Sequence, residues 1–227
     1  MSTDLKRRVG ETAADLVSSG MTLGLGTGST ATWFVQGVGE RLRDGRLKDV
    51  MGVPTSRATE AQCRELAIPM VDLPAGGVDL AVDGMDEVTD GLDAIKGLGG
   101  ALLREKIVAE AATEFVLIGD LSKRVDRLGQ RSPIPVEVVP FGVARTEQRL
   151  KDLGLEPVLR GGPLEPQLTD NGNPILDCRA PEPFDATWMD AALHAIPGVV
   201  EHGLFVGMAR AALVASDAEV VRLERPA

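Results

Sequence analysis

Apolar positions recur along the first half of the chain with two alternating periods, and the alternation predicts a layered α/β protein. Leu5, Val9, Ala13, Leu16 and Val17 fall at helical spacing, and Gly20 stands where a left-handed glycine would close that helix. Met21 to Leu25 reads as a strand breaking into Gly26-Thr27-Gly28-Ser29-Thr30, and Ala31 to Leu42 as the next helix. Strand signals follow at Val50–Val53, Met70–Leu73, Leu80–Val82 and Phe115–Gly119, with helices at Glu60–Leu66 and 101–112. Strand, turn and helix repeated in this way predict a doubly wound, largely parallel, Rossmann-like sheet.

The pattern changes near Pro133. A strand at Ile134–Val139 and a helix at Ala144–Leu153 are followed by strands at Val158–Leu159 and Ile175–Cys178. A helix over Asp185–Ala195 and a strand at Val199–Glu201 complete a β-α-β-β-α-β order, the ferredoxin-like α+β arrangement. Strands at Ala212–Ala215 and Glu219–Leu223 then return to the first sheet. The expected division is a catalytic domain of residues 1–131 plus 204–227, with 132–203 as an inserted second domain.

With 227 residues, 44% of them apolar, such an arrangement has a core to fill. A formal charge of −10 argues against a nucleic-acid partner, which needs a basic face, but leaves room for a locally positive pocket. No run reaches membrane-spanning length, and Met1 to Arg8 contain no apolar leader core, so the expected location is cytoplasmic. Cys63 and Cys178 lack metal-type spacing and read as reduced structural thiols.

Candidate chemistry concentrates between positions 83 and 106. Asp83-Gly84-Met85-Asp86-Glu87 follows an apolar strand, and Lys96-Gly97-Leu98-Gly99-Gly100 leads into the helix that carries Glu105. Open α/β sheets place ligands at such carboxyl ends. Asp83, Asp86 and Glu87 suit either a carboxylate pair with separated pKa values or a magnesium site, and a solvated acidic turn is the plainer reading. The helical neighbours of Glu105 (Ala101, Leu102, Val108, Ala109 and Ala112) are all apolar, whereas Glu110 faces Lys106, Thr113 and Glu114 on a side suited to water. A carboxylate among apolar neighbours has a raised pKa, as a general base needs, although a salt bridge to a nearby cation accounts for it equally well.

Gly26-Thr27-Gly28-Ser29-Thr30-Ala31 satisfies the dinucleotide pattern G-x-G-x-x-A. The ribose-reading carboxylate expected after the next strand is missing, because that place reads Val53-Pro54-Thr55-Ser56. Three hydroxyls at a helix N-terminus instead favour a single phosphate. A nicotinamide-dependent dehydrogenase and a non-catalytic sugar-phosphate sensor are the rival classes. His194 and His202 offer neither a partner carboxylate nor ligand spacing and read as structural.

Together these motifs resemble the A-type ribose-5-phosphate isomerases. The likeness continues through Asp120-Leu121-Ser122-Lys123, Pro135-Val136-Glu137-Val138, Thr169-Asp170-Asn171-Gly172-Asn173 and Ala195-Ile196-Pro197-Gly198-Val199-Val200. It implies a cofactor-free and metal-free aldose–ketose isomerase acting on a pentose phosphate, without nucleic acid or membrane, as a homodimer or homotetramer. By this resemblance Glu105 is the base, Asp83 the ring-opening residue, and Asp86 and Lys96 orient hydroxyls and stabilise charge. Thr27, Gly28, Ser29, Thr30 and Lys123 form the phosphate grip, with Lys6 a weaker candidate. Gly84, Met85, Gly97, Leu98 and Gly99 complete the substrate-binding set. Two departures stand out: Met85 replaces the family's usual Ala, and Leu98 replaces its usual Gly and is expected to narrow the pocket floor.

Overall fold

The computed structural model describes residues 3–181 and 183–225, so Met1 and Ser2 of the expected leader-free start lie outside the described residues. Along the chain run α1 (Thr3–Ala14), β1 (Thr22–Leu25), α2 (Ala31–Arg43), β2 (Met51–Pro54), α3 (Arg57–Glu65) and β3 (Val78–Gly84). Two-residue strands β4 (Glu87–Val88) and β5 (Ala94–Ile95) precede α4 (Leu102–Glu110) and β6 (Ala112–Asp120), which ends in a short 3-10 turn at Leu121–Lys123. Next come β7 (Ile134–Val138), α5 (Val143–Asp152), β8 (Glu156–Leu159), β9 (Ile175–Arg179), α6 (Ala186–His194) and β10 (Val199–His202). The chain closes with β11 (Leu204–Phe205), β12 (Ala211–Ala215) and β13 (Val220–Glu224).

The main sheet has the order β13-β12-β6-β3-β1-β2, parallel except for the β13 edge. Its central strands are apolar on both faces because helices cover both. Val116 and Ile118 of β6 point into a core with Val9 of α1 and Phe34 and Val38 of α2. Phe115 and Leu117, the alternate residues, join Val108 of α4 and Phe205 on the opposite face. Residues 134–202 form a separate antiparallel sheet ordered β10-β7-β9-β8, the strand order of a ferredoxin-like unit, with its own core around Ile134, Leu150, Leu176 and Leu193.

Two local expectations need correction, and one further sheet was not expected. The first helix stops at Ala14, after which Asp15, Leu16 and Val17 tighten into bonds three residues back. Gly20 therefore does not cap it, and turns the chain at φ +87 while donating to Lys48 O. Met70–Leu73 is not a strand: between Pro69 and Pro74 it manages a single parallel bridge, Met70 to Gly52. A third sheet, β11-β5-β4, has no counterpart in the periodicity, since two-residue strands are too short to show one. It ties the segment between Asp86 and Lys96 to the chain returning after Gly203.

Candidate active site

β3 ends on Asp83 and Gly84, and β1 ends against the Gly26–Thr30 turn beside it. Gly26 is required there, because a Cβ would collide with the Asp83 carboxylate. Asp83 Oδ1 accepts the N–H groups of Thr27 at 3.0 Å and Gly84 at 2.7 Å, which locks the two strand ends together. A cavity of about 260 Å³ opens over them, lined by Lys6, Thr27–Thr30, Gly84–Asp86, Lys96, Gly97, Gly99, Glu105 and Lys123. Three of these are lysines and two are carboxylates; Lys96 faces Asp83 and Glu105, which leaves Lys6 and Lys123 to make part of the cavity of an acidic chain locally positive.

On one part of the cavity wall, Lys96 Nζ bonds the Gly84 carbonyl at 2.6 Å. It also lies 3.0 Å from Asp83 Oδ2 and 3.2 Å from Glu105 Oε2, ionic contacts without hydrogen-bond alignment. All three groups are buried. Burial works against the Lys96 ammonium, but the neighbouring Asp83 and Glu105 charges outweigh it and raise its pKa. Burial, reinforced by the Asp83 charge and opposed by Lys96, pushes Glu105 from 4.5 up to about 8. Asp83 is likewise raised by burial, against the pull of Lys96 and its two backbone donors. Both alternatives for Glu105 therefore hold at once, since it is desolvated and also faces a lysine. Asp86 lines the cavity and accepts the Leu98 N–H at 3.0 Å.

On another part of the wall, Lys6 of α1 donates to Ser29 Oγ at 2.6 Å, and Lys123 enters from the turn after β6 with no ion pair among the described residues. The turn entering α2, with Ser29 and Thr30, lines the same part of the cavity. The Thr32 and Trp33 N–H groups are already donated to Gly28 O and Thr30 O, so the helix offers an anion its positive dipole end and the backbone ahead of Thr32. A phosphate suits this corner. Lys6, the weaker candidate from sequence, belongs to it as directly as Lys123 does.

Several predicted positions are placed differently. The Thr27 hydroxyl turns inward to Thr55 (2.7 Å), Ser56 (2.8 Å) and Thr59 (3.1 Å), a buried hydroxyl cluster occupying the place where a ribose-reading carboxylate would stand. Asp83 does not line the cavity and lies behind Lys96. Leu98 contributes its N–H, while its side chain is 41% exposed and outside the lining, so it does not narrow the floor. Met85 does line the cavity, with its thioether packed against Gly119. Glu87 faces away and binds the backbone N–H groups of Gly129, Arg131 and Ser132. Asp83, Asp86 and Glu87 thus diverge, which is unlike a shared magnesium site.

On the side of α4 expected to meet water, Glu110 and Thr113 are exposed and Glu114 is half-buried, but Lys106 is covered by the antiparallel sheet. Lys106 is buried there and pairs with Glu201 at 2.7 Å. The histidines, read as partnerless, do have carboxylate neighbours: His194 Nε2 lies 3.1 Å from Glu201, and His202 Nε2 lies 3.5 Å from Asp190. Asp190, His194 and His202 lie close enough to hold a metal ion. The hydrogen bonds assign them otherwise. His202 Nδ1 faces two donors, Leu204 N–H at 3.3 Å and Lys106 Nζ at 3.4 Å, so the neutral ring carries its proton on Nε2, which faces Asp190 Oδ1 at 3.5 Å and lies 3.2 Å from His194 Nδ1. His194 Nδ1 lies 3.0 Å from the Asp190 carbonyl, which can only accept, so that nitrogen donates there. A metal on Nε2 would need the opposite tautomer against both donors. Burial, then the Lys106 charge, holds the His202 pKa well below its ordinary value.

Cys63 and Cys178 are free and buried, as expected of structural thiols, and burial raises both pKa values. Among the described residues no helix is long and apolar enough to cross a membrane.

Comparison with known proteins matches this arrangement. The family described as ribose 5-phosphate isomerase A (phosphoriboisomerase A) matches residues 51–219. Ribose-5-phosphate isomerase A of Roseiflexus castenholzii is 53% identical over 97% of this chain and 95% of its own length. That of Caulobacter vibrioides is 50% identical over 99% of this chain and 100% of its own. The solved ribose 5-phosphate isomerase A of Methanocaldococcus jannaschii superposes with a TM-score of 0.92 at 42% identity, covering 97% of this chain and 98% of that one. A D-ribose-5-phosphate isomerase in complex with phospho-erythronic acid superposes at 0.94 with 38% identity, covering 98% of each chain.

Proposed function

The chain belongs to the ribose 5-phosphate isomerase A family, and on that footing we propose how its cavity works. Its activity is the interconversion of D-ribose 5-phosphate and D-ribulose 5-phosphate. The observation that carries the mechanism is Glu105 Oε2, a buried carboxylate oxygen facing the buried Lys96 ammonium at 3.2 Å, in a cavity with a phosphate corner.

Lys6, Ser29, Thr30, Lys123 and the α2 amino end take the phosphate, with Gly28 giving the backbone close approach. Phosphate binding then orients the far end of the sugar, a use of remote contacts to favour the reacting geometry. Asp86 and the Gly97 and Gly99 backbone take sugar hydroxyls. Glu105 removes the C2 proton as a base and returns it to C1 as an acid, and its raised pKa suits both halves. Lys96 places positive charge beside the enediolate oxygen that develops between them. Asp83 keeps Lys96 charged and holds the Thr27 turn in place. The ring-opening role that the resemblance gives Asp83 reaches the sugar through Lys96, which stands between Asp83 and the cavity. The rival nicotinamide reading loses its ground at Thr55 and Ser56, whose hydroxyls are occupied with Thr27.

The same reading takes residues 132–203 as an inserted domain, the assembly as a homodimer or homotetramer, and the location as cytoplasmic. Sedimentation equilibrium checks the assembly. For the chemistry, the protein incubated with ribose 5-phosphate in deuterated water is expected to yield ketose carrying deuterium at C1. Ketose formed with complete internal hydrogen transfer would point to a hydride shift and overturn the Glu105 mechanism.

A further inference from the structure

Arg160 lies in the antiparallel unit, just past β8, yet its side chain reaches into the cavity wall. It is 10% exposed and forms a two-pronged pair with Asp177, with Nε 2.8 Å from Oδ2. Its remaining nitrogen, Nη1, donates to the carbonyls of Gly97 and Leu98, each at 3.1 Å and more than sixty positions away in the chain. The Gly97 carbonyl and the Leu98 N–H are two ends of one planar peptide unit. That N–H holds Asp86 Oδ2 at 3.0 Å.

The loop has few anchors of its own. Gly97 sits at φ +102 and Gly100 at φ +82, and three of the four residues from 97 to 100 have no side chain to pack. Its internal backbone bond is Gly100 N–H to Gly97 O, at 3.0 Å. Glycines leave such a loop many conformations, so its geometry must be imposed from outside. A guanidinium is suited to this, because its fixed fork can engage a carboxylate on one edge while donating from the other. A cation on the carbonyl also polarises the peptide and strengthens the N–H as a donor.

We propose that Arg160, oriented by Asp177, is a positioning residue for the sugar end of the cavity: it fixes the Gly97–Leu98 peptide, and that peptide fixes Asp86. The proposal rests on the reading of Asp86 as a sugar-hydroxyl ligand. Its reach is limited to that end: among the described residues its hydrogen bonds go to Asp177, Gly97 and Leu98, whereas the phosphate corner is built from α1, the β1–α2 turn and the turn after β6.

A double-mutant cycle with Asp86 tests this. Arg160→Ala is expected to lower kcat/KM for ribose 5-phosphate roughly 10- to 100-fold, the scale of a displaced positioning contact. It should weaken phospho-erythronic acid binding to a similar degree, while inhibition by inorganic phosphate changes by less than about twofold. In an Asp86→Ala background Arg160→Ala should cost no more than about a further twofold, because the group it positions is gone. Arg160→Lys should be intermediate, and Asp177→Asn should show the same pattern more weakly, including in the event that Arg160→Ala does not fold. Additive effects of Arg160→Ala and Asp86→Ala, or equal losses for phosphate and phospho-erythronic acid, would overturn the positioning role. An Asp86→Ala enzyme with parent activity would instead overturn the Asp86 reading alone.

Discussion

Glu87 and Glu105 are both buried glutamates within one motif-rich stretch, and they have opposite fates. Both oxygens of Glu87 are taken, by the backbone N–H groups of Gly129, Arg131 and Ser132, so its charge is spent holding a loop. Glu105 is also buried but has no set of backbone donors: its Oε2 faces a lysine at 3.2 Å, with the Asp83 charge nearby. Burial alone therefore does not make a carboxylate reactive. In Glu105 burial is joined by the charge of a neighbouring carboxylate, Asp83, and Lys96 only partly offsets the two, so the proton stays within reach near neutral pH.

The sharpest way to break the comparison is to remove the charge from each. Glu105→Gln should lower kcat by roughly 10²–10⁴ with little change in KM, and thermal stability should hold or rise as a desolvated charge is lost. Glu87→Gln should do the reverse, losing roughly 2–4 kcal/mol of stability in denaturant titration while the folded fraction keeps its kcat. A Glu105→Gln enzyme with near-parent kcat would exclude Glu105 as the base.

The pH dependence follows next in size. Glu105 is raised from 4.5 to about 8 on folding, so the native state keeps a proton that the unfolded chain releases between those values. Its contribution to stability is complete below the lower value and is lost as pH rises through the higher one. The Tm of the parent minus that of Glu105→Gln should accordingly decline across this window. Activity should move the other way, with kcat/KM rising with pH toward about 8 as the base loses its proton.

A smaller effect is expected in the phosphate corner. Lys123→Ala should raise KM for ribose 5-phosphate by about 1.5–3 kcal/mol in binding and leave turnover of unphosphorylated ribose largely unchanged. Lys6→Ala should follow the same pattern. The smallest is Leu98→Gly, since only the Leu98 backbone serves the site: steady-state constants should stay within about threefold, the loss arising from added loop freedom.

Much of this was legible in the chain. Strand and helix periods gave the doubly wound sheet, and the second unit's strand order matched its sequence pattern element for element. Glu105 stood out because the positions three, four and seven residues away are apolar, a purely local property. What local patterns cannot carry is the direction of a side chain after packing. Thr27 offered a hydroxyl beside a helix N-terminus, yet Thr55, Ser56 and Thr59 draw it inward from another strand end. Lys106 sat on the polar side of its helix and was buried by a sheet folded over it from residues 134–202.

The sequence by itself thus determined the fold class, the order of elements and the chemical kinds of group at the carboxyl ends of the strands, since all of these follow from composition and spacing over short windows. Tertiary structure alone decided which carboxylate is held by backbone donors and which faces a lysine, that Asp83 stands behind Lys96, and that Arg160 reaches across from the antiparallel unit to the Gly97–Leu98 peptide. Those outcomes depend on contacts between segments far apart in the chain, where desolvation and hydrogen-bond geometry are set by whichever groups happen to meet.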